Sequence, residues 1–422
     1  MSQPFKNIRV AEFGQFVAVP FCGQLLAQGG AEVIKIESPE GDPNRHMGPL
    51  APGESRIFVS RNRGKHTLPL KLSDPAAQPV IEALLDWADV VLMNFRPGLA
   101  EKMGLAPETL LKKHPRLVIG EITPFGKQGP DANLSAMDIV VQARSGLMAA
   151  MGRIVDGKPA PGEPVISDYM AATTLAFGIA SALFRRERTG KGGVVDVSLM
   201  MAAMTLTNNQ LVRSEDQDRD KHLQRIAQIN ELRAAGAPYE EQLEAIPTAR
   251  VLPIRILYFR TYDSADGTVA IACASRALQK KFMDAIGLHD KGFDTTNDLG
   301  DDYYLELRDQ VEAVMRSKHG AEWVAILNKA GVPVSTVKFP IEMFEDEQAA
   351  ANAMFNIVDH PTAGKFRVLS PPLALDGDGF TPPPATAPFG SEAISLLTEL
   401  GLSAESIEKL VQAGITRISL DT

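Results

Sequence analysis

Apolar residues switch between a two-residue and a helical period along the first 122 positions, and that alternation restricts the chain to a small set of folds. Ile8-Arg-Val-Ala-Glu-Phe13 reads as a short strand. A helical pattern follows from Pro20 to Gln28, Gly29-Gly30 stops it, and Ala31-Glu-Val-Ile-Lys-Ile-Glu37 reads as a second strand. Ala76 to Trp87 is helical again, while Asp89-Val-Val-Leu-Met-Asn94 and Arg116-Leu-Val-Ile-Gly-Glu-Ile122 are strands. Such alternation predicts an α/β architecture, a parallel sheet with helices on both faces.

A chain of 422 residues has room for more than one domain. After Met204 the composition shifts. Leu211 to Arg250 is charged and helical in pattern, with Ser214 to Lys221 too polar to bury, and reads as a connector at 205–250. Ile254 to Tyr262 and Thr268 to Cys273 flank the turn Asp263-Ser-Ala-Asp-Gly267, a hairpin signal that opens a smaller α+β domain at 251–330. Gly331 to Lys338 reads as a further strand, Ser370 to Pro388 as an extended Pro/Gly-rich surface segment, and Ser391 to Gly414 as a helix-turn-helix. The large domain is then expected over 1–204, with 331–422 as a linker and a return to it.

Several function classes drop out. The net charge of −9 disfavours nucleic acid as a partner, and two cysteines are too few for a disulfide scaffold or a thiolate zinc site. The seven histidines show no ligand spacing, so no metal is expected. The charged N-terminus lacks the apolar run of a signal peptide, which predicts a cytoplasmic protein. Tyr169 to Phe184 falls short of the roughly 20 residues of a membrane span and reads as a core helix, so no membrane partner is expected. Glu37 stands where dinucleotide folds place a ribose-binding acid. The turn Gly14 to Gly23 nevertheless lacks the closely spaced glycines that admit a pyrophosphate, so no permanently bound nicotinamide or flavin is expected.

Asp168 stands out in Gly162-Glu-Pro-Val-Ile-Ser-Asp-Tyr-Met, where an extended segment gives way to the apolar helical run Met170 to Phe184. Taken locally it is either a helix cap or a carboxylate retained for use, because burying an unpaired charge is costly.

A set of short motifs in fixed order bears on that choice. It comprises Leu26-Ala-Gln-Gly-Gly-Ala-Glu-Val-Ile-Lys-Ile-Glu37, Gly41-Asp-Pro-Asn-Arg45, Asn62-Arg-Gly-Lys65, Asn94-Phe-Arg-Pro-Gly98 and Gly126-Lys-Gln-Gly-Pro130. Gln142-Ala-Arg-Ser-Gly146, Ser167-Asp168-Tyr169 and Arg188 to Ser198 complete it. The set resembles the family III coenzyme A transferases, densely over residues 8–200 and more thinly over 255–422. The resemblance implies a large doubly wound, Rossmann-like domain built from N- and C-terminal segments, a smaller second domain, and an interlaced homodimer. It also implies transfer of CoA from an acyl-CoA to a carboxylic acid, with Asp168 as a nucleophile that forms a mixed anhydride. Asp168 would have to be ionised, and hydrogen bonds favouring the charged form are expected around it. By the same resemblance Phe16, Val17 and Ala18 run beside CoA, and Asn94, Phe95, Arg96, Lys102 and Met103 lie near its adenosine and phosphates. Where some relatives carry an arginine, this chain has Ser38, so one phosphate contact is either missing or supplied by Arg45, Arg61 or Lys65. Two other functions share the resemblance: an α-methylacyl-CoA racemase and a noncatalytic CoA-binding protein. Racemase relatives place a His-Asp pair where this chain has Met137-Asp138; Met137 cannot take a proton, which lowers that reading without abolishing it, since Asp168 could itself act as a base.

Overall fold

The computed structural model describes residues 3–246 and 256–420. The chain forms two compact units, one of Met1–Ile246 with Ala351–Thr422 and one of Pro247–Ala350. The first unit is built on six parallel strands: β1 (Arg9–Phe13), β2 (Glu32–Glu37), β3 (Lys65–Pro69), β4 (Val90–Met93), β5 (Val118–Thr123) and β6 (Gly193–Ser198). Their order across the sheet is β6-β5-β4-β1-β2-β3, every neighbouring pair parallel. The order reverses between β1 and β4. Open parallel sheets bind their ligands outside the carboxyl ends of the strands at such a switch point.

Alternation along the strands divides the core in two. Val10, Val33, Val90, Leu92 and Val118 face a cluster with α1 (Ala18–Gln28), α5 (Ile166–Thr189) and α6 (Leu199–Thr205). Ala11, Phe13, Ile34, Val91 and Ile119 face the opposite cluster, with residues of α3 (Gln78–Trp87) and of the C-terminal helices Ala393–Glu399 and Ala404–Gln412. Residues from both ends of the chain thus share one core.

Two glycines let α5 lie close to the sheet. A Cβ on Gly120 would come within 2.8 Å of Leu92 and 3.0 Å of Ile179, and one on Gly178 would meet Val195 at 2.4 Å. At 24 residues, α5 is longer than the sequence suggested, and it is long and apolar enough to cross a bilayer. Ala171, Ala172, Leu175, Ile179 and Ala182 nevertheless form a buried stripe along it, packed within the first cluster.

Strands β3 and β6 were not foreseen. Both are short, and each begins immediately after or beside a Gly- or Lys-containing motif that hides its period. The segment Ser370 to Pro388, expected on the surface, is extended but hydrogen-bonded to the body: Thr381 N donates to Gln28 O, Gly64 N to Pro384 O, and the buried Thr386 hydroxyl to Asn62 O. In the second unit β7 (Phe259–Asp263), β8 (Thr268–Ala272) and β9 (Val334–Thr336) form an antiparallel sheet in that order, with Arg276–Ile286, Gly300–Met315 and Gly320–Ala330 as its helices. The hairpin strand thus starts at Phe259, and Ile254 and Arg255 of the anticipated strand lie outside the described residues. Because β9 belongs to this sheet, the chain rejoins the first unit at Ala351 rather than near 331. The charged connector carries the exposed helices Arg219–Ala234 and Tyr239–Glu244, and its last residues, 247–250, are outside the described set.

The tight seat of α5 is open to test. Gly178→Val should lower the unfolding free energy by about 1–3 kcal/mol, as overpacking does. The exposed neighbour Thr174→Ala should stay within about 0.5 kcal/mol of wild type in the same denaturant titration.

Candidate active site

Two loops meet at the switch point. Asn94, just past β4, clamps the loop after β1 from both sides: its Oδ1 accepts from Gln15 N at 3.1 Å and its Nδ2 donates to Gln15 O at 3.0 Å. Lys35 Nζ donates to Gly14 O at 2.6 Å, and Asn44 Nδ2 to Phe16 O at 2.6 Å. Three side chains thus grip three consecutive residues. The grip holds Phe16 at φ 67, a left-handed conformation costly for a bulky residue. No side chain caps α1, which begins at Ala18; Pro20 in its first turn carries no N–H, and Phe21 N donates to Val17 O.

This places the residues assigned to CoA by resemblance. Phe16, Val17 and Ala18 lie on the β1 loop and the start of α1; Phe16 is half-buried, whereas Val17 and Ala18 are buried as whole residues, backbone included. Phe95 sits on the β4 loop, its ring 6.2 Å from Phe13, and Met103 packs against the second cluster. Arg96 and Lys102 are exposed. Neither has an ion-pair partner among the described residues.

Behind the β1 loop lies a chain of buried charges. Glu12 pairs with Lys65 at 2.8 Å and Lys35 at 3.3 Å, and Lys35 also pairs with Asp42 at 3.0 Å. Burial works against the Lys35 ammonium, but Asp42, Glu12 and Glu37 outweigh it and hold the pKa above its ordinary value. Lys65 shares only Glu12 closely, and burial pushes it down to about 8. Arg45 is buried between Glu37 and Glu54, at 2.8 and 2.7 Å, with its guanidinium 3.7 Å from the Phe58 ring centre. Arg45 and Lys65 therefore cannot serve a phosphate, contrary to the expectation from Ser38. Of the three cations proposed for that contact only Arg61 is left.

Asp168 is the third residue of α5, not its cap; the cap position is Val165, which supplies no side-chain acceptor. Capping comes from elsewhere. Asp138, the first residue of α4 (Asp138–Arg144), accepts from Ser167 N at 2.9 Å through Oδ1 and from Gln142 Nε2 through Oδ2. Gln142 in turn accepts from Gly162 N at 3.0 Å, so one buried pair, Asp138 and Gln142, fixes the segment that carries Asp168. Neither received a role from the sequence. Their i, i+4 spacing on a helix would have been the signal.

Asp168 itself has no hydrogen-bond partner among the described residues, which differs from the expected stabilisation of its charged form. Burial, then the Asp138 carboxylate, push its pKa up to about 7, with Arg61 pulling the other way. The carboxylate is therefore raised in energy and half-buried at the positive end of a helix. Beside it the Tyr169 ring meets Phe21 of α1 edge-on at 4.9 Å, and Tyr169 Oη accepts from Arg61 Nε at 3.2 Å.

Among the described residues no cluster of His, Cys, Asp or Glu could hold a metal ion. What the site offers is one destabilised carboxylate, uncapped amides at α1 and exposed cations at the β4 loop. Those are the parts of an acyl-transfer site for an anionic ligand.

Comparison with known proteins agrees with that class. The model of CoA-transferase family III matches residues 5–390, and the chain belongs to that family. It is 28% identical to the cinnamoyl-CoA:phenyllactate CoA-transferase of Clostridium sporogenes, across 96% of this chain and 95% of the relative. To the acetyl-CoA:oxalate CoA-transferase of Acetobacter aceti it is 31% identical, over 83% and 85%. A crystal structure of a CaiB/BaiF family protein from Brucella suis superposes with a TM-score of 0.74 at 26% identity, covering 95% of this chain and all of that one. The protein is a CoA-transferase, an enzyme with acyl-CoA as substrate and an acid as the partner in exchange.

An unpaired carboxylate with a raised pKa has a stability signature. A group that binds its proton more tightly when folded stabilises the folded state at low pH, and that contribution is lost as pH rises through about 7. Asp168→Asn should therefore melt at or near the wild-type temperature at pH 5 and about 2–4 °C above it at pH 8. An Asn variant no more stable at pH 8 than at pH 5, relative to wild type, would contradict the raised pKa.

Proposed function

We propose that Asp168 is the nucleophile of a CoA exchange that runs through mixed anhydrides. The observation that carries this is the isolation of its carboxylate: half-buried, unpaired among the described residues and next in the chain to Tyr169, whose ring meets Phe21 in the first turn of α1. An Oδ of Asp168 attacks the thioester carbonyl, the C–S bond breaks, and CoA leaves as thiolate. The thiolate then attacks Cγ of Asp168, releasing the first acid as carboxylate and leaving an aspartyl thioester. The second acid attacks that thioester, expels the thiolate again and forms a second anhydride. Attack of the thiolate on the acyl carbon restores Asp168 and yields the new acyl-CoA. Every step exchanges one activated acyl bond for another, so no redox equivalent or metal is required.

A raised pKa suits this role. A carboxylate of higher basicity is a better nucleophile, and at neutral pH about half of it is ionised. The amides of Ala18 and Val19 at the uncapped start of α1 are the donors closest in kind to what a developing oxyanion needs, Pro20 having none. We assign the CoA nucleotide to the β4 loop, with Phe95 for its base and with Arg96 and Lys102 for its phosphates. The racemase alternative lacks the paired base of those relatives: Met137 is exposed and has no titratable group, and Asp138 spends both oxygens on Ser167 and Gln142, which leaves Asp168 itself as its base. The doubly wound domain and interlaced homodimer implied by the resemblance fit a core shared by both chain ends.

Asp168→Ala and Asp168→Asn should abolish exchange while CoA still binds, and acyl-CoA with hydroxylamine should modify Asp168 and inactivate the wild type. Modification at another residue would move the nucleophile. Because the ionised form attacks, kcat/KM for acyl-CoA should rise with pH through about 7 and then level. Asp138→Asn, which keeps an acceptor for Ser167 N but removes a charge, should shift that limb to lower pH. Arg96→Ala should raise the CoA dissociation constant and flatten its salt dependence. An unchanged constant would leave Arg96 a surface cation.

A further inference from the structure

An enzyme that uses a carboxylate to exchange acids must also hold a free carboxylate beside it, and two such anions repel. A cation near Asp168 with unspent hydrogen-bond capacity would remove that conflict. Most nearby cations are committed. Lys35, Arg45 and Lys65 are buried in ion pairs. Arg63 is buried and donates to the carbonyls of Val59 and Leu369.

Arg61 is different. It stands at the C-terminal end of α2 (Arg56–Asn62), half-exposed, and among the described residues it makes one side-chain hydrogen bond, from Nε to Tyr169 Oη, and no ion pair. Its guanidinium carbon lies 5.6 Å from the centre of the Tyr169 ring, and Phe21 fixes that ring edge-on. Tyr169 is the neighbour of Asp168 in the chain, and the Arg61 charge acts on the Asp168 carboxylate. The Nε edge is occupied, so the two terminal nitrogens remain, spaced to take both oxygens of a carboxylate.

We infer that Arg61 receives the carboxylate of the free acid, with Tyr169 as the positioning residue that aims it. This rests on Asp168 as nucleophile and adds the subsite for the second substrate. The ligand class is a carboxylate anion, not the phosphates of CoA. Because the guanidinium is aimed by a hydrogen bond through Nε to Tyr169 Oη, charge alone does not replace it: a lysine lacks the fork and that Nε donor.

The test separates acid from CoA. Acetyl-CoA, succinyl-CoA and cinnamoyl-CoA are each incubated with their own 13C-labelled acid, and label entering the thioester is followed by mass spectrometry. Arg61→Ala should raise KM for the acid on the order of ten- to a hundredfold, the scale of a charge-assisted hydrogen-bonded pair. Measured at about pH 9, where Asp168 is ionised with or without the Arg61 charge, KM for acyl-CoA and the rate of hydroxylamine modification of Asp168 should stay within about twofold of wild type, since these stages contain no free acid. Arg61→Lys should recover only part of the loss, and Tyr169→Phe should show a smaller rise in the acid KM alone. The assignment is overturned if the acid KM is unchanged in all three pairs, or if Arg61→Ala weakens CoA binding instead, which would make Arg61 a phosphate contact. It is equally overturned if the wild type modifies Asp168 but saturates with none of the three acids. Absence of Asp168 modification in the wild type would instead overturn the nucleophile, leaving a different failure to explain.

Discussion

Glu12, on the central strand of the sheet, sits between two lysines with no access to water, and the geometry of the site hangs on that contact. A buried ion pair is weak as a source of net stability, because desolvation opposes it, but breaking one costs about 3–5 kcal/mol. Such a pair therefore tolerates few alternative arrangements. Lys35 spends its remaining protons on Asp42 and on the carbonyl of Gly14. Lys65 spends its own on Asn62 and on the carbonyl of Pro20 in the first turn of α1. Both ends of the β1 loop are thereby tied to the sheet by ammonium groups. Gly23 makes room for the pair, since a Cβ there would stand 1.9 Å from a Glu12 oxygen.

Asp168 is governed by the opposite arrangement. Its neighbours are organised while it is not: Asp138 and Gln142 satisfy the start of α5 from outside, leaving Asp168 without a structural task. The same carboxylate that caps the helix also repels Asp168 across the turn and joins with burial to raise its pKa. One residue thus supplies both rigidity and destabilisation. A reactive carboxylate in an otherwise satisfied surround is the pattern expected where stability is given up for function.

The contrast between paired and unpaired cations sorts the site. Arg45 and Lys65 belong to motifs that suggest ligand binding, yet both are consumed in holding the β2 end and the β1 loop. Arg96, on the loop after β4, and Lys102, at the end of the short helix Leu99–Lys102, are exposed, and Arg61 is half-exposed with its charge acting on Asp168. The separation follows from tertiary surroundings: Lys35, Arg45 and Lys65 are packed into the low-dielectric interior, where only pairing makes them tolerable, whereas Arg96 and Lys102 stay in contact with water.

The alternating sheet and helix periods of residues 8–122, the core character of the helix after Asp168 and the singularity of Asp168 itself were legible in the sequence, because periodicity and burial cost are local properties. The ordered motifs pointed to the family for the same reason, each being a short run with its own turn or strand. Strands β3 and β6 were not legible, since five or six residues beside a Gly- or Lys-bearing motif carry too little period to register. Nor was the fate of the charges: Lys65 and Arg45 look like Arg61 and Arg96 in a linear chain, and only the approach of β1, β2 and β3 in space decides which are neutralised. Asp138 and Asp168 are 30 positions apart, and their interaction exists only because α4 meets the start of α5. The sequence by itself determined that this chain would form a parallel sheet with a lone carboxylate at a helix start. The fold left that carboxylate without a partner among the described residues, raised its pKa to about 7 and set it in the field of the Arg61 charge, because desolvation and Coulomb forces depend on distances that no linear spacing encodes.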